Sequence, residues 1–152
     1  MNKITIRKGS VEDIPEWLQM RLALWADLPS DAHNSEIVAI LSDPMQPVFV
    51  AVRENRRLCG FLEVRTREYA VGCQTSPVGY IEGWYVDADM RCQGIGTALV
   101  RAAEAWAREQ GLVEMASDTW LDNQGSIRAH SKLGYEETVR LIHFSKKLDD
   151  SI

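Results

Sequence analysis

Residues 91–99, Arg-Cys-Gln-Gly-Ile-Gly-Thr-Ala-Leu, constrain this chain more than any other stretch, because they join a glycine-rich turn to the start of an amphipathic helix. Upstream, residues 80–86 read as a buried strand. Downstream, Ile95, Ala98, Leu99, Ala102, Ala103 and Trp106 recur at helical spacing. Strand, turn and helix in that order commit the chain to an α/β sheet. They also make an anion site: the first amides of a helix lack partners within it, the helix dipole favours negative charge there, and glycines let the backbone approach a ligand closely. Arg91 adds a cation. A Walker-type loop needs Lys and then Ser or Thr after its last glycine, whereas Gly96 is followed by Thr97-Ala98. A dinucleotide fingerprint needs a third glycine where Leu99 stands. Neither pattern is complete, and a plain tight turn would also explain the two glycines taken alone.

A chain of 152 residues, 45% hydrophobic and 26% charged, fits one domain, 1–152, with a core that needs no disulfide or metal. No apolar run approaches the roughly 20 residues of a membrane span, and the first residues do not form a signal peptide, so a cytoplasmic protein is expected. Cys59, Cys73 and Cys92 are too scattered for a disulfide framework or a Cys-x-x-Cys metal site. The net charge of −5 argues against nucleic acid and suits a cationic partner.

Along the chain, residues 3–7 alternate as a strand. Ser10 and Asp13 approach a capping box before a helix that carries Ile14, Trp17, Leu18, Leu22 and Trp25 inward and ends near Asp27. A second helix spans 31–41 and stops at Asp43-Pro44. Strands at 48–52 and 58–69 flank a hairpin turn at 54–57, the second alternating Leu62 and Val64 against Glu63, Arg65 and Arg67. After a loop at 70–77 come the strand 80–86, the helix 94–110, a short strand 113–117 and a helix 123–133 closed by Gly134. Residues 135–148 are expected to form one or two closing strands.

The pattern Arg-x-x-Gly-x-Gly with an aliphatic residue between the glycines resembles the acetyl-coenzyme A turn of the GCN5-related N-acetyltransferase (GNAT) family. About thirty residues on, that family carries a run of the form Asn-x-x-Ala/Ser-x-x-x-Tyr-x-Lys-x-Gly-Phe. Here Asn123, Ser126, Lys132, Gly134 and Tyr135 match it, with His130 in the tyrosine's place. The flanks are similar to the aminoglycoside 6′-N-acetyltransferases: Leu24-Trp25, Tyr69, Ser76-Pro77-Val78, Ile81-Glu82-Gly83, residues 115–119 and residues 133–138, although Val139 stands where those relatives carry an acid. The resemblance implies a mixed, mostly antiparallel, twisted sheet of six to seven strands flanked by about four helices. It also implies acetyl-coenzyme A as cosubstrate, an aminoglycoside as acceptor, no metal and a homodimer. It further implies that Trp84, Tyr85 and Val86 pair with the pantetheine arm, with a backbone N–H near Val86 on the thioester carbonyl. Residues Arg91, Cys92, Gln93, Gly94, Ile95, Gly96 and Thr97 would hold the pyrophosphate, and Asn123 and His130 would touch the cofactor.

An amine attacks a thioester directly once it is neutral, aligned and supplied with oxyanion stabilisation, so a carboxylate that takes its proton is the first requirement. Glu82, in the middle of an apolar strand on the face of Tyr80, Trp84 and Val86, is the candidate base. An ion pair with an arginine is the plainer reading of the same residue. Asp118, at the end of the neighbouring strand, shares base duty or binds a second ammonium, or it caps a turn. If Glu82 and Asp118 converge, they make an anionic pocket suited to a polycationic amino sugar. Trp25 and Tyr69 would wall it, and Asp27, Asp31 and Glu36 could rim it. Asn123 reads as a helix N-cap or a ligand contact. His130 reads as a proton donor to the thiolate or a cofactor-contacting spacer. Cys92 reads as a small turn residue, since direct transfer needs no acyl-cysteine. Competing readings are acetyl transfer to another small amine, a polyamine or a peptide N-terminus, and a non-catalytic acetyl-coenzyme A sensor.

Overall fold

A computed structural model describes residues 3–149. Among them the chain forms, in order, β1 (Thr5–Lys8), α1 (Ile14–Leu24), α2 (Ser30–Leu41), β2 (Val48–Val52), β3 (Leu58–Arg67), β4 (Val78–Val86), α3 (Ile95–Glu109), β5 (Met115–Ser117) and α4 (Gln124–Lys132). Short 3-10 turns, Val11–Asp13 and Ala88–Met90, precede α1 and the glycine turn. The sheet with α1 to α3 lies in one compact unit, Met1–Asp118, and α4 belongs to a second, Thr119–Ile152. No helix among the described residues is long and apolar enough to cross a membrane.

The sheet is mixed and runs β1-β2-β3-β4-β5, with antiparallel pairing up to β4 and a parallel β4–β5 pair. A parallel pair needs a crossover, and α3 supplies it. The described residues thus give five strands, where six to seven are expected from the sequence. The shortfall lies in 135–148, which carries no strand. A strand exists only against a neighbour that takes its backbone hydrogen bonds. No ladder of the sheet includes this segment, and Val139, Leu141, Ile142, Phe144 and Leu148 stand exposed.

The two faces of the sheet are covered differently. Trp17 and Met20 of α1 and Ile37 of α2 bury against Val48, Val50, Leu58 and Phe61, each large side chain contributing about 1.5–3 kcal/mol by leaving water. Gly60, next to Phe61, faces the other way, where an added Cβ would meet Leu99 of α3 at 3.3 Å. The helix α1 is shorter than its apolar stripe suggests. Pro15 fixes its first turn, and Trp25 leaves helical geometry at φ −125°, ψ 69°, so the chain turns there rather than at Asp27. Ahead of α1, Asp13 accepts the Ser10 N–H at 2.8 Å and a bidentate pair from Arg7 at 2.7 and 2.9 Å. The Arg7 guanidinium, with Ser10's help, holds the Asp13 carboxyl below its ordinary value.

The alternation in β3 misplaces Glu63, expected on the polar side with Arg65 and Arg67. Because both faces of β3 are covered from Leu58 to Val64, Glu63 is only 5% exposed. A buried carboxylate survives only when paired, and Glu63 accepts from Arg21 at 2.6 Å and from the Trp17 indole at 2.9 Å. Burial pushes its proton affinity up against the pull of Arg21. Arg21, itself 1% exposed, also donates through Nε to His33 Nδ1 at 3.0 Å and pairs with Glu36. His33 Nδ1 therefore accepts, and His33 Nε2 lies 3.2 Å from the Trp25 carbonyl as its donor.

A bulge in β4 positions the site. Glu63 lies opposite Gly83 but Val64 lies opposite Ile81, so Glu82 is the extra residue. Gly79 faces Ala107 of α3, whereas Gly83 faces Trp25 and Phe61 on the opposite side. Glu82 shares the face of Tyr80, as expected, and Gly83 follows it on that side. Trp84 does not: the extra residue turns it to the α3 face, where its indole N–H donates to the Gly96 carbonyl at 3.2 Å.

Candidate active site

The parallel ladder between β4 and β5 covers only Gly79, Tyr80 and Ile81 against Met115, Ala116 and Ser117. The β4–β5 ladder ends at Ile81, and β4 runs on in sequence through Trp84, Tyr85 and Val86 to the glycine turn. The Tyr85 ring is stacked 6.1 Å from Phe61, and burial raises its phenol.

The glycine turn follows at once. Arg53 reaches across to Asp87 and Asp89 at 2.9 Å and fixes the start of the 3-10 turn Ala88–Met90. Arg91 Nε donates to the Val86 carbonyl at 2.8 Å, tying the turn to the end of β4. Cys92 and Gly94 take positive φ, 63° and 83°, so the chain turns left-handed twice before α3 begins. Gly94 caps α3 without any side-chain hydrogen bond. At Gly96 an added Cβ would lie 3.2 Å from the Trp84 indole, so a side chain here would press the indole back by a few tenths of an ångström. Ile95, 4% exposed, anchors the helix start, while Gln93 and Thr97 face solvent. A helix start with no side-chain cap, entered through a left-handed turn at the end of β4, is chemically suited to a pyrophosphate.

The two candidate carboxylates lie at the ends of one connected group. Glu82, its side chain 26% exposed, accepts two hydrogen bonds from Arg67 at 2.7 Å each. The Arg67 guanidinium lies over the Tyr80 ring, 3.6 Å from its centroid. The Tyr80 hydroxyl donates to Asp118, immediately after β5. Burial and the Asp118 carboxylate together push the Tyr80 phenol up, and the Glu82 carboxylate holds Arg67 firmly cationic. Arg67 and Tyr80 thus link Glu82 to Asp118 in one run of contacts, and Glu82 makes the ion pair with an arginine that is the plainer reading of its position.

Trp25 packs beside this group, against Gly83 on the same face of the sheet. Its ring edge lies so close to Gly83 that an added Cβ would sit 2.4 Å from Cη2. Its indole is stacked on His33 at 6.4 Å, and the Arg21 guanidinium lies 4.8 Å from the ring. Tyr69, 70% exposed, stands two residues beyond Arg67. Asp27 and Asp31 are exposed, whereas Glu36 is committed to Arg21.

In the second unit, Asn123 caps α4 by accepting the Ser126 N–H at 3.1 Å, as its residue type suggests. His130 Nδ1 lies 2.7 Å from the Ser126 carbonyl, so Nδ1 carries a proton, and in a neutral ring Nε2 is the acceptor. Its ring meets Tyr135 edge-on at 5.9 Å.

Sequence reasoning missed Arg53, Arg67 and the buried Arg21–Glu63–His33 set. Arg67 was legible only as an outward residue of an alternating strand. Nothing in the local pattern ties it to a carboxylate fifteen residues on.

The fold and this site define an acetyltransferase: the profile of the acetyltransferase (GNAT) family matches residues 11–135, and the chain belongs to that family. Among its relatives, an aminoglycoside N(6′)-acetyltransferase type 1 of Stenotrophomonas maltophilia is 39% identical over 148 residues, spanning 97% of this chain and 95% of that protein. The protein of the same name from Klebsiella aerogenes is 41% identical over 146 residues, spanning 94% and 96%. The solved structure of AAC(6′)-Iy with the bisubstrate analogue CoA-S-monomethyl-acetylneamine superposes with a TM-score of 0.91 at 33% identity, over 96% of this chain and 99% of that one.

Proposed function

We propose that this chain, acting as one catalytic domain in the cytoplasm, transfers acetyl from acetyl-coenzyme A to the 6′-amine of aminoglycosides. The observation that carries the reading is the run of contacts that joins Glu82 to Asp118 through Arg67 and Tyr80, beside the end of the β4–β5 ladder. Near-full-length similarity to aminoglycoside N(6′)-acetyltransferases supports the choice of acceptor. In this reading the uncapped start of α3 and residues Arg91 to Thr97 hold the pyrophosphate, and residues 84–86 pair with the pantetheine arm. Glu82 takes the proton from the 6′-ammonium directly or through one water. The neutral amine attacks the thioester carbon, and a backbone N–H near Val86 steadies the oxyanion. The C–N bond forms, the nitrogen gives up its second proton to solvent, the C–S bond breaks, and the thiolate leaves. Asp118 holds a second ammonium, and Trp25 and Tyr69 flank the sugar. The Nδ1 proton of His130 is held by the Ser126 carbonyl. Asn123 serves as the cap of α4.

A homodimer is part of the same reading. Ile142, Phe144 and Leu148, 74%, 91% and 84% exposed, present apolar surface, on a segment outside the sheet's ladders, that a partner copy would cover. Sedimentation equilibrium tests this: a monomer at micromolar concentration contradicts it.

The test of function is thiol release with purified protein, acetyl-coenzyme A and kanamycin or tobramycin. Turnover that acetylates the 6′-amine and drops about a hundredfold or more in Glu82→Gln is expected. Clear acetyl-coenzyme A binding with no turnover on any aminoglycoside sinks the choice of acceptor.

A further inference from the structure

The carboxylate proposed to receive the acceptor's amine is already occupied by a cation of this chain. Both Glu82 oxygens accept from Arg67 at 2.7 Å, in the bidentate geometry that makes guanidinium–carboxylate pairs strong. The same guanidinium covers the Tyr80 ring at 3.6 Å, the other surface here that attracts a cation. Arg67 is also the more exposed partner, 40% against 26% for Glu82. It is the last residue of β3, where the chain leaves the sheet. An ammonium that takes up Glu82 has to displace Arg67 from both carboxylate oxygens.

We propose that Arg67 is an internal cation that holds the amine site closed until the acceptor displaces it. This rests on the reading of Glu82 as the amine-receiving carboxylate. A site that is open for only a fraction of the time binds its ligand more weakly by that fraction. Arg67 thereby sets the acceptor's apparent affinity and keeps the paired carboxylates from capturing stray cations between turnovers. The carboxylate pair with Arg67 in place carries one net negative charge, and with Arg67 swung out it presents two. The pocket therefore reaches its full attraction for a polycation only as the polycation enters.

The contrasting role for Arg67 is to orient Glu82, and the two roles move kinetics in opposite directions. If Arg67 competes, Arg67→Gln lowers the KM for kanamycin about tenfold, and Arg67→Lys, with one compact ammonium in place of the fork, falls between. If Arg67 orients the base, both substitutions lower kcat and leave or raise the acceptor KM, and that overturns the inference. Calorimetry with coenzyme A present gives a reading without turnover. Kanamycin binding tightens about tenfold in Arg67→Gln, and the gain vanishes when Glu82→Gln is added, because the carboxylate being contested is gone. A gain that persists without Glu82 contradicts the mechanism. Spermine is titrated in parallel. Failure of wild type and Arg67→Gln to bind or acetylate kanamycin, together with a tenfold gain for spermine, counts against the aminoglycoside reading and for Arg67 as the internal cation. Equal or weaker spermine and kanamycin binding in Arg67→Gln overturns the inference itself.

Discussion

Gly83→Ala puts one methyl group into the tightest contact of the site. The new Cβ would lie 2.4 Å from Trp25 Cη2 and 2.8 Å from Cζ2, and 3.5 Å from Phe61. Carbon atoms rest at about 3.5–4.0 Å, so the indole has to retreat by about 1 Å. It has little room to do so: His33 stacks on it at 6.4 Å, Arg21 lies 4.8 Å from the ring, and Phe61 meets it edge-on at 6.2 Å. Overpacking of this kind costs about 1–3 kcal/mol. For a chain of this length each kcal/mol lowers the Tm by about 2–4 °C, so a fall of roughly 2–12 °C is expected in a thermal melt. The displaced ring is the proposed sugar wall beside Glu82, so the acceptor KM rises while the KM for acetyl-coenzyme A holds. A variant with wild-type Tm and wild-type acceptor KM would refute the packing argument, since no way around the clash would then be needed.

Arg21→Leu strips the partner from Glu63 and leaves a carboxylate 5% exposed with only the Trp17 indole. A loss of about 3–5 kcal/mol is expected in denaturant unfolding. Asp13 titrates below its ordinary 3.8 in the folded chain because of Arg7, so its contribution is complete above that value and disappears as pH falls through the lower, folded one. With Arg7 43% exposed, the pair is worth at most about 1 kcal/mol, and wild type and Asp13→Asn should differ by that much at pH 6 and converge towards pH 2 in urea melts. Asn123→Ala removes the cap of α4 and costs about 1 kcal/mol, read as faster amide exchange at Ser126.

Periodicity made α3 legible almost to the residue, because its apolar stripe faces the sheet and Gly94 and Gly111 bracket it with positive φ. The strand after the 54–57 turn was equally plain. Its alternation misled, since a strand covered on both faces hides polar residues that have found partners, as Glu63 has. The extra residue at Glu82 has no local signature. It arises from the register between β3 and β4, and it alone decides that Trp84 faces Gly96 while Glu82 faces Arg67. Of the site, the residue types were readable: a carboxylate in an apolar strand, another after the next strand, a glycine turn. Their mutual arrangement was not, because Arg67 and Tyr80 join them through contacts between strands.

The central claim is that Glu82 receives the acceptor's amine. A crystal structure with coenzyme A and kanamycin tests it most directly: the 6′-nitrogen should lie about 3 Å from a Glu82 oxygen, or one water away, with Arg67 swung out of its bidentate pair. A kanamycin bound elsewhere, with the Arg67–Glu82 pair intact beside the thiol, would contradict it.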